Sequence, residues 1–475
     1  MLFNSLPFWI FFILFFIVYF LTRGKVRLGV CLAGSYLFYG WWDWRFLGLI
    51  LLLTTLNYYF GFLIAQTSST SRRRKFYLFL SMASSLGILG FFKYFNFGIT
   101  NLMGILESLG FQANWGTLRI ILPVGISFYT FQTMSYCIDL YRGELPLERS
   151  FLKFATFVAF FPQLVAGPIV RAIDFLPQLD RDHAFDWDRC LSGMGIVVWG
   201  LVLKIVMADS LGLVVDSRFA DPSAHNSLSL LLSVVFYAFQ IYGDFCGYSL
   251  IAIGVARILG FDFKKNFDMP YFSKNFSEFW QRWHISLSSW LRDYLYIPLG
   301  GNKSGPVRTG INLMITMLLG GLWHGANWTF VIWGGLHGGY LILQRVVGHA
   351  YGHVIQAVKL PDILSRLFLI LLCFSLTSFA WVFFRAQSLT DAWEIIHRIV
   401  SMDNLSFSGV THKFHVIKGL GVISMVLSLE IMGRWLKLNL KKQGTLFLST
   451  HIIFCLICIS LFGTFGETAF IYFQF

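Results

Sequence analysis

Leu6-Pro7-Phe8-Trp9-Ile10-Phe11-Phe12-Ile13-Leu14-Phe15-Phe16-Ile17-Val18-Tyr19-Phe20-Leu21-Thr22 carries no charge over its whole length, and Arg23, Lys25 and Arg27 follow it at once. About 20 apolar residues in a helix cross the hydrocarbon of a bilayer, so this run reads as a membrane helix. No Lys or Arg precedes it, the reverse of a cleaved secretory leader. Basic residues stay on the cytoplasmic side, which puts residues 1–5 outside and 23–27 within. Further apolar runs lie near 28–40, 46–65, 77–95, 119–138, 151–166, 190–213, 227–243, 245–260, 310–320, 329–346, 364–385, 415–434 and 446–465. Several are short or interrupted by Gly, so some are expected to re-enter or stay buried. Irregular backbone at that depth survives only against protein or a water-filled cavity.

Composition agrees. Among 475 residues, 56% are hydrophobic, 52 are Phe and only 13% are charged, half the charge density of ordinary soluble domains. The aromatic content excludes disorder. The formal net charge of +13 reads as cytoplasmic loop charge and speaks against nucleic-acid binding. Arg72, Arg73, Arg74 and Lys75, the basic segment 257–308, and Lys437, Lys441 and Lys442 are all expected to face inward. The last span then runs outward and leaves 466–475 as an extracytoplasmic aromatic tail. Both termini outside require an even number of crossings. No linker or repeat divides the chain, so a single membrane-embedded domain over 1–475 is expected.

The loops of nucleotide hydrolases, dinucleotide binders and serine hydrolases are missing. An H-x-x-x-x-D pair at His183 and Asp188 matches chance spacing in a polar loop. His349 and His353 stand at i, i+4 without a third ligand, and Cys455 and Cys458 form a C-x-x-C inside apolar sequence. No metal site is expected.

Polar residues at membrane depth are costly and usually face a cavity. Three segments carry them. Gly320-Gly321-Leu322-Trp323-His324-Gly325-Ala326-Asn327-Trp328, continued to Gly339, packs seven glycines into 20 residues and reads as a helix broken in mid-membrane. His324 lies at the break, where Asn327 could fix its tautomer. A packing role competes with chemistry at His324, and more evenly at His337. Trp280 to Tyr294 reads as an interfacial amphipathic helix, with His284 on the flank of a Trp, Leu and Tyr stripe and Arg292 near its end; anchoring alone would also explain it. Gln240 to Ser249 sets Asp244 and Tyr248 between two apolar runs, where Asp244 needs either a partner or a proton.

These segments, with Phe161-Pro162-Gln163-Leu164-Val165-Ala166-Gly167-Pro168 and the run from Phe279 to Gly301, resemble the membrane-bound O-acyltransferase superfamily, and within it the bacterial polysaccharide O-acetyltransferases. Cys246 and Leu250 stand where that family often has Ser and a second Asp. The resemblance implies an all-α polytopic bundle with broken or re-entrant helices around a central funnel. It also implies catalytic roles for His324 and His284, with Trp323, Asn327, Asp244, Tyr248 and Arg292 as substrate-binding candidates. The donor would be a cytoplasmic thioester, acetyl-CoA, with no permanently bound cofactor. The product would be an O-acetylated exopolysaccharide such as alginate, or a cell-wall glycan, and the setting the bacterial inner membrane. Phe470-Ile471-Tyr472-Phe473-Gln474-Phe475 fits the F-x-Y-x-x-F ending of a small D-alanylation protein, in which the tyrosine is a proposed acyl carrier. That implies an acyl-Tyr472 and an extracytoplasmic SGNH-type partner, while an aromatic anchor at the membrane surface is the plainer role for the tail. D-alanyl transfer from a carrier protein and membrane transport are the competing functions.

Overall fold

The computed structural model describes residues 1–475 except 112–115, 166, 359–360, 403, 408–409, 467–469 and 472–475, and excepting the side chains of 349–358. The described residues form helices and no strand, as the apolar runs require. Seven helices or helix pairs are long and apolar enough to cross a membrane. Leu6–Leu21 is a shorter apolar helix outside those seven, and its outward residues Leu6, Ile10, Ile13, Leu14 and Ile17 are about half exposed or more. Such a face is stable against lipid and not against water. The chain folds as two compact units, Met1–Cys190 with Val255–Lys264, and Leu191–Gly254 with Lys265–Phe475.

The first unit contains α1 (Leu6–Leu21), α2 (Gly24–Asp43), α3 (Leu47–Gln66), α4 (Arg72–Ser108), α5 (Ile126–Arg142), α6 (Phe151–Ala159), α7 (Phe161–Leu164) and α8 (Ala172–Leu179). Phe8, Phe11, Phe12, Phe15 and Tyr19 recur at helical spacing and make the buried stripe of α1. They close on Phe161, whose ring centroid lies 5.2 Å from Phe15 and 5.4 Å from Phe11. The expected span 151–166 is therefore interrupted: α6 stops at Ala159, α7 begins at Phe161, and the Phe161 amide, which as the first of its helix has no partner within it, donates to Ser35 Oγ at 3.1 Å. Gly125 turns the chain into α5 at φ +76°, and a Cβ there would stand 2.4 Å from the Leu164 carbonyl oxygen. His183 and Asp188 do not pair: His183 meets the Gln178 carbonyl at 2.9 Å and the Phe261 ring, and Asp188 is exposed.

The second unit is built on α9 (Trp187–Leu201), which enters it at Leu191, and continues through a π-turn at Val202–Ala208 into α10 (Asp209–Ala220). It then holds α11 (Ser227–Ile258, shared with the first unit from Val255), α12 (Phe276–Arg282), α13 (Ile285–Leu291), α14 (Gly305–His324), α15 (Trp328–Val358), α16 (Asp362–Arg385), α17 (Leu389–Ser401), α18 (Lys413–Trp435) and α19 (Thr445–Phe462). Two expected spans, 227–243 and 245–260, are one 32-residue helix, α11. Asp244 does not interrupt it because its charge is met from the side, and because glycines bring the backbones together. A Cβ on Gly247 would lie 2.7 Å from the Gly200 carbonyl oxygen, and one on Gly243 2.8 Å from that of Leu203. Small residues at four-residue spacing allow such approach between membrane helices.

Candidate active site

The break expected after residue 320 is present. α14 ends at His324, Gly325 takes extended backbone at φ −162°, and α15 begins at Trp328. Most of the nearby glycines serve a different purpose from the one expected of them. A Cβ on Gly321 would lie 2.2 Å from the Phe330 carbonyl oxygen, and one on Gly334 2.3 Å from that of Met317. They let α14 and α15 press together as a hairpin, and the break itself is only three residues long. His324 sits at its edge, 4% exposed. Its ring is boxed by Trp323 at 4.9 Å, Trp333 at 5.0 Å and Phe384 at 5.0 Å between centroids.

Asn327 corrects an expectation. It caps α15, accepting from the Thr329 amide at 3.1 Å, and donates to the Gln387 carbonyl at 3.2 Å. Both ends of its amide are used in holding the break closed, and it does not set the His324 tautomer.

His284 corrects another. The helix expected over 280–294 is split there: α12 ends at Arg282, His284 takes left-handed backbone (φ 42°, ψ 55°), and α13 starts at Ile285. A non-glycine residue held in that region costs about 1–3 kcal/mol, and such positions cluster at functional sites. The loop before α12 laces the split: the Ile285 amide donates to the Asn266 carbonyl at 2.8 Å and the Asp268 amide to the Arg282 carbonyl at 2.9 Å. His284 is fully buried, with Phe245 at 4.5 Å and Trp323 at 6.0 Å between ring centroids. Trp323, 4% exposed, thus neighbours both histidines. The split stretch is not among the apolar spans. Burial lowers the His284 pKa from 6.5 to about 3 and keeps the imidazole neutral at physiological pH.

His337 lies one turn along α15 from Trp333, fully buried and 4.8 Å from it between ring centroids. Neither of its ring nitrogens has a hydrogen-bond partner among the described residues.

Asp244 has the partner its position demanded. Lys204, in the π-turn, lies 2.6 Å from Asp244 Oδ1 and donates to Asp209 Oδ1 at 2.7 Å, and all three side chains are 5% exposed or less. The other Asp244 oxygen accepts from the Ile471 amide at 2.7 Å. Both oxygens of Asp244 are engaged within the protein, where a substrate contact was expected. Tyr248 packs on Phe470 at 4.5 Å between centroids, and Phe245 contacts both Phe470 and His284. Asp244 and Tyr248 therefore hold residues 470 and 471 in the interior of this unit, on the helix that also supports His284. Tyr472 itself lies outside the described residues. Arg292 is exposed and ion-paired to its neighbour Asp293 at 2.6 Å, on a π-turn over Arg292–Tyr296.

Three residues escaped the sequence reading. Lys204 and Asp209 are the only charges in the run 190–213, a signal that was available. Asn266 carried none, because its partners are 17 to 20 residues away. Among the described residues no cluster of three metal-ligating side chains occurs, and all seven cysteines are free and buried.

Helices long enough to span a bilayer mark a multi-pass membrane protein, in which a helix ends at buried His324 and a second buried histidine, His284, shares the Trp323 ring with it. The family comparison gives the chain its class. The membrane-bound O-acyltransferase family model matches residues 36–384, and the chain belongs to that family. It is 42% identical to the probable alginate O-acetylase AlgI of Azotobacter vinelandii, over 83% of this chain and 77% of that protein. It is 35% identical to the peptidoglycan O-acetyltransferase of Helicobacter pylori, over 80% and 75%. A teichoic acid D-alanyltransferase of Streptococcus thermophilus is 31% identical over 48% and 58%. The chain is an O-acyltransferase.

Proposed function

We propose that this enzyme moves an acetyl group from cytoplasmic acetyl-CoA to the outer side of the bacterial inner membrane, for O-acetylation of an exopolysaccharide or cell-wall glycan. The observation that carries the reading is the pair of buried histidines joined through Trp323, in a chain whose more similar relatives are named for acetylating alginate and peptidoglycan. Both of those acceptors are glycans with free hydroxyls, which supports a sugar hydroxyl as the final acceptor here.

A thioester is already activated, and what the reaction lacks is a competent oxygen nucleophile. His324 takes the proton of the attacking hydroxyl as the new C–O bond forms and the C–S bond breaks, then returns it to the departing sulfur, giving the free thiol. The first hydroxyl acylated is that of Tyr472. Ile471, its immediate neighbour, is tied to Asp244, and consecutive Cα atoms are about 3.8 Å apart. A phenol of pKa near 10 leaves more readily than an alkoxide, so the tyrosyl ester stays reactive. An extracytoplasmic SGNH-type partner then attacks that ester with its serine, restoring the tyrosine O–H and carrying the acetyl group to the glycan. Charged CoA never crosses the bilayer.

The test is incubation of purified protein with isotope-labelled acetyl-CoA, followed by mass spectrometry of the peptide containing Tyr472. Labelled acetyl on that tyrosine is expected. Normal glycan acetylation by Tyr472→Phe would end the carrier step and leave the His324 assignment standing.

A further inference from the structure

Asn266 stands in the loop before α12 and is 1% exposed. Its side-chain oxygen accepts from the Ser286 amide at 3.1 Å and from Ser286 Oγ at 2.9 Å, and lies 3.2 Å from His284 Nδ1. Its Nδ2 donates to Ser249 Oγ on α11 at 3.1 Å. A backbone N–H can only donate, so the Ser286 amide fixes which end of the Asn266 amide is oxygen. That oxygen can only accept, so the imidazole nitrogen facing it must carry the proton. If Nδ1 held the lone pair instead, two acceptors would oppose each other at 3.2 Å, and the nearby Ser286 Oγ, 3.5 Å from Nδ1, already donates to the Asn266 oxygen. The neutral ring has one proton to place, and it is on Nδ1. Nε2 is then the lone-pair nitrogen, and it is buried with no hydrogen-bond partner among the described residues.

We infer that Asn266 is a positioning residue that locks His284 in its Nδ1–H tautomer, so that Nε2 enters the reaction as a hydrogen-bond acceptor and not as a donor to the thioester carbonyl. This rests on the proposed acyl transfer and adds the direction in which its second histidine works. The left-handed backbone at His284 belongs to the same device. It brings the Ser286 amide round to Asn266 Oδ1 while the Ile285 amide reaches the Asn266 carbonyl, so one asparagine holds both the split in the helix and the ring that the split presents. An acceptor nitrogen suits a hydroxyl or a second imidazole as its partner, and excludes His284 from stabilising an oxyanion.

Solid-state 15N spectra of histidine-labelled full-length protein decide the tautomer. The signal lost in His284→Gln identifies the residue among 11 histidines. At pH 7.5 the proton is expected on Nδ1 in the wild type and redistributed towards Nε2 in Asn266→Ala. Kinetically, Asn266→Ala should lower kcat about 10- to 100-fold, below what a positioned base usually contributes, with KM for acetyl-CoA nearly unchanged. Asn266→Asp, which keeps an acceptor, should recover part of the loss. In a His284→Gln background the same Asn266→Ala change should cost less than about twofold, because its effect passes through the imidazole. A proton on Nε2 in the wild type, or an equal loss in both backgrounds, overturns the inference. Wild-type turnover in His284→Gln would instead remove this histidine from the proposed mechanism, while the spectra still decide its tautomer.

Discussion

Asp244→Ala separates the anchoring of the C-terminal segment from the chemistry. The Ile471 amide donates to Asp244 Oδ2 at 2.7 Å with both partners buried. A hydrogen bond to a charged group contributes about 1.5–3 kcal/mol. Breaking a buried ion pair normally costs about 3–5 kcal/mol because one charge is left alone. Here Lys204 keeps Asp209 at 2.7 Å, so two carboxylates around one ammonium become one carboxylate around one, and the protein should remain folded. What is lost is the hold on residue 471. At 1.4 kcal/mol per factor of ten, the amide of Ile471 should exchange with solvent about 10- to 150-fold faster than in the wild type. Hydrogen exchange read by mass spectrometry on a peptide spanning 463–471 measures this, with peptides from α14 and α15 as internal controls. Acetyl transfer to Tyr472 should fall by a similar factor. Unchanged exchange at 471 in a folded Asp244→Ala protein would refute the anchor.

Other outcomes follow from single features. Burial lowers the His284 pKa from 6.5 to about 3, so the unfolded chain binds more protons between those values. The contribution to stability is complete above pH 6.5 and is lost at about 1.4 kcal/mol per unit as pH falls towards 3; thermal scans at pH 7.5 and 5.5 should show a smaller drop for His284→Gln than for the wild type. Gly334→Ala would drive a methyl group to 2.3 Å from the Met317 carbonyl oxygen, a backbone atom that cannot swing away. Overpacking of this kind costs about 1–3 kcal/mol and should lower the melting temperature, whereas Gly339→Ala, with nothing within 4 Å, should not. Arg292→Gln breaks only an exposed pair with Asp293, a type worth at most about 1 kcal/mol, so a melting temperature within about two degrees of wild type is expected, and any large rise in KM for acetyl-CoA would restore Arg292 as a substrate contact.

The helical, membrane-spanning character was legible because apolar runs of helix length leave few other structures open. His324 was legible because a histidine between glycines and tryptophans is expensive at membrane depth unless the fold provides for it. Local pattern failed where distant chain supplies the partner. Sequence from Trp280 to Tyr294 has continuous helical periodicity, and only the return of Asn266 to that stretch splits it at His284. Asp244 looked like a break between two spans, and Lys204, 40 positions earlier in the chain, removes the reason for one. The glycines of α14 and α15 marked an unusual segment correctly, but helix contact accounts for most of them. Ile471 gave no warning at all, since its function lies in a backbone amide.

The central claim is that the imidazole of His324 passes an acyl group from a thioester to an oxygen, and single-turnover transfer from labelled acetyl-CoA in His324→Ala tests it most directly. Loss of transfer by more than about 100-fold, in protein that inserts and melts like the wild type, is the predicted result. Transfer at the wild-type rate would contradict the account.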